Sequence, residues 1–282
     1  MTVRELIRQS EAMLDEQNKD CNVPKVLFYH LANKEPHELY LMMDEEVDEE
    51  LLKAFHEGMQ RYMNGEPIQY IKGKETFFSR DFIVNENVLI PRYETEELVE
   101  NILYRIDDYF EDYESIDLCD VGTGSGAIAI SLALEEPKLK VVATDISEEA
   151  LVVARENAKE LEADVEFYQG DMLEPLIERN IKVDIFVSNP PYIPVDQNIE
   201  SVVKDNEPHV ALFGGVDGMY FYDVILSNAS KILKDKNIIL FEHSHSKKNE
   251  MLALANKYFP NGKSEVIKDL NGKDRFTIII NN

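Results

Sequence analysis

Cysteine is scarce in this chain of 282 residues, with only Cys21 and Cys119 present. Two thiols cannot build a disulfide framework, and Cys119, inside an apolar run, is expected to be a buried inert thiol. The six histidines are scattered. No Cys/His cluster has metal-ligand spacing, so no metal is expected. No run of about 18 apolar residues occurs, which argues against a membrane-spanning helix. Met1-Thr2-Val3-Arg4-Glu5 has no apolar core of a leader and reads as a mature start. These absences predict a cytoplasmic protein with no membrane association. Basic residues are also in short supply: 29 Lys and Arg face 55 Asp and Glu, a net charge of −26. Acidity runs through the whole chain. Tight binding to a phosphate backbone needs clustered cations, so no direct nucleic-acid contact is expected. Attraction to a basic protein partner and plain solubility both fit the charge. There is no internal repeat or low-complexity segment.

A hydrophobic content of 44% with 30% charged residues describes a globular protein of one large or two smaller domains. Thr2 and Glu5 make a capping box, followed by Val3, Leu6, Ile7, Met13 and Leu14 at helical spacing. A second helix is predicted after Pro24. A third is predicted from about 48 to 63, with Leu51, Leu52, Phe55, Met59 and Tyr62 on one face and Asn64-Gly65-Glu66-Pro67 as its stop. Short amphipathic helices need partners, so residues 1–72 are expected to form a small helical bundle. Over 73–91 the pattern changes to period two, with Phe78, Phe82, Val84, Val88 and Ile90 interrupted by Asn85-Glu86-Asn87. Short strands or a hairpin linker are expected there. A helix after Pro91-Arg92 opens the third region, 92–282, in which strands and helices alternate. That alternation predicts an α/β domain with a parallel, doubly wound sheet. The last two strands are separated only by Asp269–Asp274, which forces a hairpin and one antiparallel strand.

Two strand ends carry the chemistry. Asp120-Val121-Gly122-Thr123-Gly124-Ser125-Gly126 follows the first strand of the α/β region and opens a helix. Glycines let the backbone approach a ligand, and the helix start offers unpaired N–H groups. Asp145 ends the next strand, 23 positions after Gly122, a spacing that suits a ribose-binding carboxylate. Gly122-x-Gly124-x-x-Ala127 also satisfies the dinucleotide fingerprint. However, Asp120 would repel a pyrophosphate and could meet an amino group, which favours S-adenosylmethionine. Asp171 and Met172, ending the third strand, are expected beside the adenine. The second strand end is Ser188-Asn189-Pro190-Pro191-Tyr192, after the apolar run Val183–Val187. Two prolines stop a strand abruptly. In open α/β sheets ligands bind at this end, and a short amide there is a good receptor for an NH₂ group.

Together, the glycine loop and Asn-Pro-Pro-Tyr resemble Rossmann-like methyltransferases that act on planar amide or amino nitrogens. Val88-Leu89-Ile90-Pro91-Arg92-Tyr93-Glu94-Thr95-Glu96 and Glu207–Gly218 narrow the resemblance to the PrmC/HemK family of peptide chain release factor glutamine N5-methyltransferases. Two departures stand out: Tyr93 where that family often has Pro, and Ser244 where Gly is usual. The resemblance implies a seven-stranded, mostly parallel methyltransferase domain behind the helical bundle, with the bundle docking the protein substrate and the chain acting as a monomer. It implies methyl transfer from S-adenosylmethionine to the glutamine of a Gly-Gly-Gln motif in release factors. Gly122, Thr123, Gly124, Ser125, Gly126, Asp145, Asp171, Met172 and Asn189 would hold the cofactor, and Asn189, Pro190, Pro191 and Tyr192 the substrate amide. In this reading Asn189 Oδ1 and the Pro190 carbonyl accept the two amide N–H bonds, and Tyr192 packs on the flat amide. Three alternatives remain: an amino-methyltransferase acting on a nucleic-acid base (adenine N6 or guanine N2), a nicotinamide-dependent oxidoreductase, and a cofactor sensor without catalysis.

Overall fold

A computed structural model describes all 282 residues. The chain divides into two compact units, residues 1–73 with 200–206, and residues 74–199 with 207–282.

The smaller unit is helical: α1 (Val3–Asp15), α2 (Val23–Leu31), α3 (Leu39–Met42), α4 (Glu49–Met63) and α5 (Ile68–Lys72). The capping box forms, with Thr2 Oγ1 accepting from Glu5 N–H and Glu5 Oε2 accepting from Thr2 N–H. Asp48 caps α4 by accepting from Leu51 N–H. Leu6, Leu14, Leu27, Phe28 and Phe55 make a common core, so the amphipathic faces bury one another. The short α3 and α5 carry too little periodic pattern to be read from sequence. The stretch 200–206, containing α10 (Ser201–Asn206), belongs to this unit, and Asn206 Nδ2 donates to the Gly65 carbonyl at 2.9 Å.

The larger unit opens with a hairpin, β1 (Lys74–Phe77) and β2 (Arg80–Ile83). It lies within the 73–91 stretch expected to hold a hairpin, before Asn85-Glu86-Asn87. Its turn falls at Phe78-Ser79, both with positive φ (49° and 62°), the backbone of a two-residue hairpin turn. Phe77 and Phe82 bury themselves in the core of the larger unit, and that burial outweighs the poor turn propensity of phenylalanine. Residues beyond Val84 are irregular rather than a further strand.

After α6 (Tyr93–Tyr109) come β3 (Ile116–Val121), α7 (Ala127–Glu135), β4 (Leu139–Asp145), α8 (Glu148–Glu160), β5 (Val165–Gln169), α9 (Glu174–Glu178) and β6 (Val183–Ser188). After the return from α10 follow α11 (Tyr220–Ala229), β7 (Leu233–Glu242), α12 (Lys248–Tyr258), β8 (Lys263–Lys268) and β9 (Asp274–Asn281). The seven strands β3 to β9 form one sheet in the order β5-β4-β3-β6-β7-β9-β8, with β9 antiparallel to both neighbours. The sheet is therefore mostly parallel with one reversed strand, as the short final link requires. Side chains alternate across it. Ile116 and Leu118 join the core beneath α6 and α7, while Cys119 and Val121 join the core beneath α11 and α12. Strand order reverses between β3 and β6, and the crevice at their carboxyl ends is where such sheets take ligands.

Candidate active site

The glycine loop lies at this switch point. Its N–H groups at 122 and 123 both donate to the Thr144 carbonyl on β4, at 2.9 and 3.0 Å. Gly122 and Gly124 have φ of 75° and 56°, and a Cβ on either would project into open space. Only glycine holds this backbone without strain, and it leaves main chain bare towards the crevice. Ser188 Oγ donates to the Val121 carbonyl at 2.6 Å and ties the ends of β3 and β6 together.

A cavity of about 160 Å³ opens there. Gly122, Gly124, Asp145, Asp171, Met172, Asn189, Pro190 and Pro191 lie on its wall, so residues from four strand ends converge. Asp145 Oδ2 accepts from Gly124 N–H at 2.9 Å and Oδ1 from Ser147 N–H at 3.0 Å. Burial pushes its carboxyl pKa up against the opposing pull of these N–H donors. Each oxygen keeps a second lone pair for a hydroxyl donor. Met172 has φ 45°, an unusual backbone for its type, and its carbonyl is held by Thr144 Oγ1 at 2.9 Å. Backbone strain of this kind persists only where surroundings enforce it. It brings Met172 to the wall beside the exposed Asp171. The charged side chains on the wall are carboxylates, and the rest is largely apolar.

Thr123, Ser125 and Gly126 do not reach the cavity wall. Thr123 Oγ1 donates to Asp120 Oδ2 at 2.6 Å. The Ser125 carbonyl accepts from Asn157 Nδ2, which also clasps Ile83 on the hairpin. Gly126 caps the start of α7 against α8, and a Cβ there would come within 2.8 Å of Ile130 on α7 and 3.3 Å of Ala154 on α8. These three shape the loop from behind. Asp120 is likewise fully buried beneath it, and burial lifts its pKa to about 7. One oxygen, Oδ1, has no partner. The expected meeting of Asp120 with a ligand amino group is therefore not seen at the cavity wall.

Asn189 is fixed from behind. Its Nδ2 donates to Thr95 Oγ1 at 3.2 Å, and Thr95 Oγ1 donates to Glu242 Oε2 at 2.8 Å. Glu242 ends β7, is 2% exposed, and accepts at Oε1 from the Tyr192 hydroxyl at 3.4 Å. Tyr192 is not on the cavity wall, where packing on a substrate amide would put it, because its hydroxyl is engaged by Glu242; burial and the Glu242 charge push its pKa above the usual range. The prolines and Tyr192 are braced by the segment that follows. Ile193 N–H donates to the Leu212 carbonyl and Gly214 N–H to the Ile193 carbonyl, at 3.0 and 2.9 Å. Gly214 lies so close that a Cβ would sit 2.3 Å from the Pro191 carbonyl oxygen.

Sequence reasoning missed three polar anchors: Glu207, Asn157 and Glu242. Glu207 is 4% exposed and grips Ile90 N–H at 3.2 Å and Arg92 at 2.5 Å. It joins the two segments, 88–96 and 207–218, whose Leu89, Val210 and Ala211 line the cavity. A charged residue directly before Pro208 inside an otherwise loop-like stretch was the available signal. The two departures are accommodated locally. Tyr93 starts α6 at 68% exposure, and the backbone at Ser244 is not left-handed, so neither position requires the usual residue.

Two family models match the chain: the PrmC N-terminal domain over residues 5–73 and a methyltransferase domain over residues 113–281. A release factor glutamine methyltransferase of Bacillus cereus is 43% identical over 98% of both chains. That of Bacillus subtilis is 41% identical over 97% of this chain and 96% of its own. A methyltransferase from Pyrococcus furiosus shares the fold, with a TM-score of 0.51 and 17% identity over 79% of this chain and 96% of that one. With a glycine loop and Asn189-Pro190-Pro191 facing one cavity, and kinship along nearly its whole length, the chain belongs to the release factor glutamine methyltransferases.

Proposed function

We propose that this enzyme transfers a methyl group from S-adenosylmethionine to the side-chain amide nitrogen of the glutamine in the Gly-Gly-Gln motif of peptide chain release factors. The observation that carries the reading is the placement of Asn189. It shares a cavity wall with the bare glycine backbone and Asp145, and its own NH₂ is turned away towards Thr95. Its Oδ1 is thereby left to face an incoming NH₂ group.

The cavity residues fit the cofactor. Bare glycine backbone allows close approach, Asp145 has free lone pairs for ribose hydroxyls, and Asp171 and Met172 offer an acceptor and an apolar surface for the adenine. Gly122, Gly124, Asp145, Asp171 and Met172 would hold it, with Asn189 at the reacting end. Thr123, Ser125 and Gly126 would keep the loop in shape. When bound, S-adenosylmethionine supplies an electrophilic methyl on a sulfonium.

The chain's own residues address a single difficulty. An amide nitrogen is a poor nucleophile because its lone pair is shared with the carbonyl, a resonance that imposes a rotation barrier of about 18–20 kcal/mol in peptides. Asn189 Oδ1 and the Pro190 carbonyl would accept the two amide N–H bonds and hold the nitrogen in line for attack. They stabilise the positive charge that grows on nitrogen, an interaction strongest in the transition state. Pro190 and Pro191, on the cavity wall, would cover the amide and exclude water, with Tyr192 behind them. The methylated nitrogen is acidic enough to lose its proton afterwards without a strong base.

The helical unit, with its PrmC N-terminal domain match, would dock the protein substrate. We place the enzyme in the cytoplasm as a monomer that does not bind nucleic acid. The net charge of −26 argues against nucleic-acid binding, and no helix is long and apolar enough to cross a membrane. Mass spectrometry of a release factor incubated with enzyme and methyl donor tests the proposal. One added methyl on the Gly-Gly-Gln glutamine is expected. Incorporation into DNA or RNA bases instead would overturn it.

A further inference from the structure

The buried end of β7 holds a group that the mechanism above does not use. Strand register brings it there: Phe241 pairs with Ser188, so Glu242 and Asn189 are the next residues on two adjacent parallel strands. Glu242 does not touch Asn189 directly. Thr95 stands between them, giving its proton to Glu242 at 2.8 Å and receiving Asn189 Nδ2 at 3.2 Å.

A hydroxyl has one proton. Once Thr95 has donated it to Glu242, its oxygen can only accept, and the Asn189 amide can only present NH₂ to it. Oδ1 must then face the opposite way. The reverse amide would put two donors, NH₂ against NH₂, where the reaction needs an acceptor. A carboxamide has nearly the same shape either way round, so packing alone does not choose. We propose that Glu242, acting through Thr95, is the positioning residue that sets the polarity of the Asn189 amide, and that its second hydrogen bond holds Tyr192 in the same arrangement. This rests on the role of Asn189 given above.

The device needs Glu242 as an acceptor. Its surroundings bear on that. Arg275 on β9 favours the carboxylate, Glu94 on α6 opposes it, and Thr95 and Tyr192 donate to it. The Tyr222 hydroxyl donates to its backbone carbonyl at 2.8 Å, and His243 is its neighbour in sequence. Burial is the largest influence and raises the pKa to about 7. Below that pH the protonated carboxyl can donate to Thr95, and the hydroxyl is released to turn its own proton towards Asn189. The rate should therefore rise with pH through about 7.

The test compares Thr95→Val, Thr95→Ser and Glu242→Gln in the full-length enzyme. Thr95→Val keeps the shape and removes the relay. It should lower kcat roughly 10-fold or more, with cofactor affinity by calorimetry unchanged. Thr95→Ser should recover most of that loss. Glu242→Gln should flatten the acidic limb of the kcat profile, and Thr95→Val with Glu242→Gln should be no slower than the worse single variant. A second readout does not depend on the acceptor: the side-chain NH₂ of Asn189, followed by NMR, should exchange slowly in the wild type and quickly in Thr95→Val. Wild-type kcat in Thr95→Val, additive losses in the double variant, or an Asn189 signal indifferent to Thr95 would overturn the proposal. If the wild type leaves release factor unmethylated while the NMR contrast holds, the substrate assignment falls and the positioning role stands.

Discussion

At the scale of single residues, the site separates two tasks that a shared cavity might suggest are one. Asp145 lies at the end of β4 and holds Gly124 N–H, and in the proposed function it serves the cofactor. Asn189 follows β6 with its NH₂ engaged by Thr95, and in the proposed function it serves the acceptor amide. Alanine variants should split accordingly. Asn189→Ala removes an acceptor that strengthens in the transition state and should cost about 100-fold or more in kcat, with cofactor affinity preserved within a few-fold. Asp145→Ala should instead weaken cofactor binding by roughly 10-fold or more, the worth of a charge-assisted hydrogen bond. Calorimetry and turnover on the same preparations check both, and the reverse pattern would exchange the two assignments. Every one of these side chains was legible as a candidate, because glycine, proline and acidic residues at strand ends have specific backbone or charge consequences. Tyr192 was legible as a site residue but not in its orientation. Its hydroxyl is committed to Glu242, a partner 50 positions away that no local pattern announces.

At the scale of elements, the alternation of strands and helices in the larger unit was readable, although β7 begins at Leu233, before the apolar run that starts at Ile238. Largely apolar runs such as Val183–Val187, broken only by Asp184, are needed by strands covered on both faces. The hairpin was readable within 73–91, and the structure fixes where it turns. Its turn uses Phe78-Ser79, against local preference, because Phe77 and Phe82 gain more from burial than the turn loses. The segment after Asn-Pro-Pro-Tyr shows the same dependence on distant contact. Gly214 reads as loop punctuation, yet its lack of a side chain lets it lie against the Pro191 carbonyl. Gly214→Ala should push the Pro191-Tyr192 backbone out of register. Such overpacking usually costs about 1–3 kcal/mol, and a lowered Tm with a larger fall in kcat than in cofactor affinity is expected. A variant with unchanged Tm and rate would show that this contact is not needed.

At the scale of the whole molecule, charge is the dominant property. With 55 acidic and 29 basic residues, the protein should attract a basic partner at long range. If this steers the release factor, KM for the protein substrate should rise several-fold as ionic strength increases from about 0.01 M to about 1 M, where the screening length falls from about 30 to about 3 Å. The kcat at saturation should hold. A KM insensitive to salt would remove steering and leave the acidity as a matter of solubility. Composition and periodicity by themselves determined the helical and α/β regions, the reversed final strand, and the two strand ends that carry chemistry. These follow from forces within a few residues of the chain: φ limits at proline and glycine, alternation of apolar side chains, and caps. Tertiary structure alone decided which of those residues reach the cavity, which stand behind it, and which way the Asn189 amide faces. Those choices depend on Glu242, Glu207 and Asn157, buried polar groups that bond across 74 to 147 positions of sequence. A buried polar group must find a partner wherever the fold provides one, and where that is depends on strand order and register rather than on its neighbours in the chain.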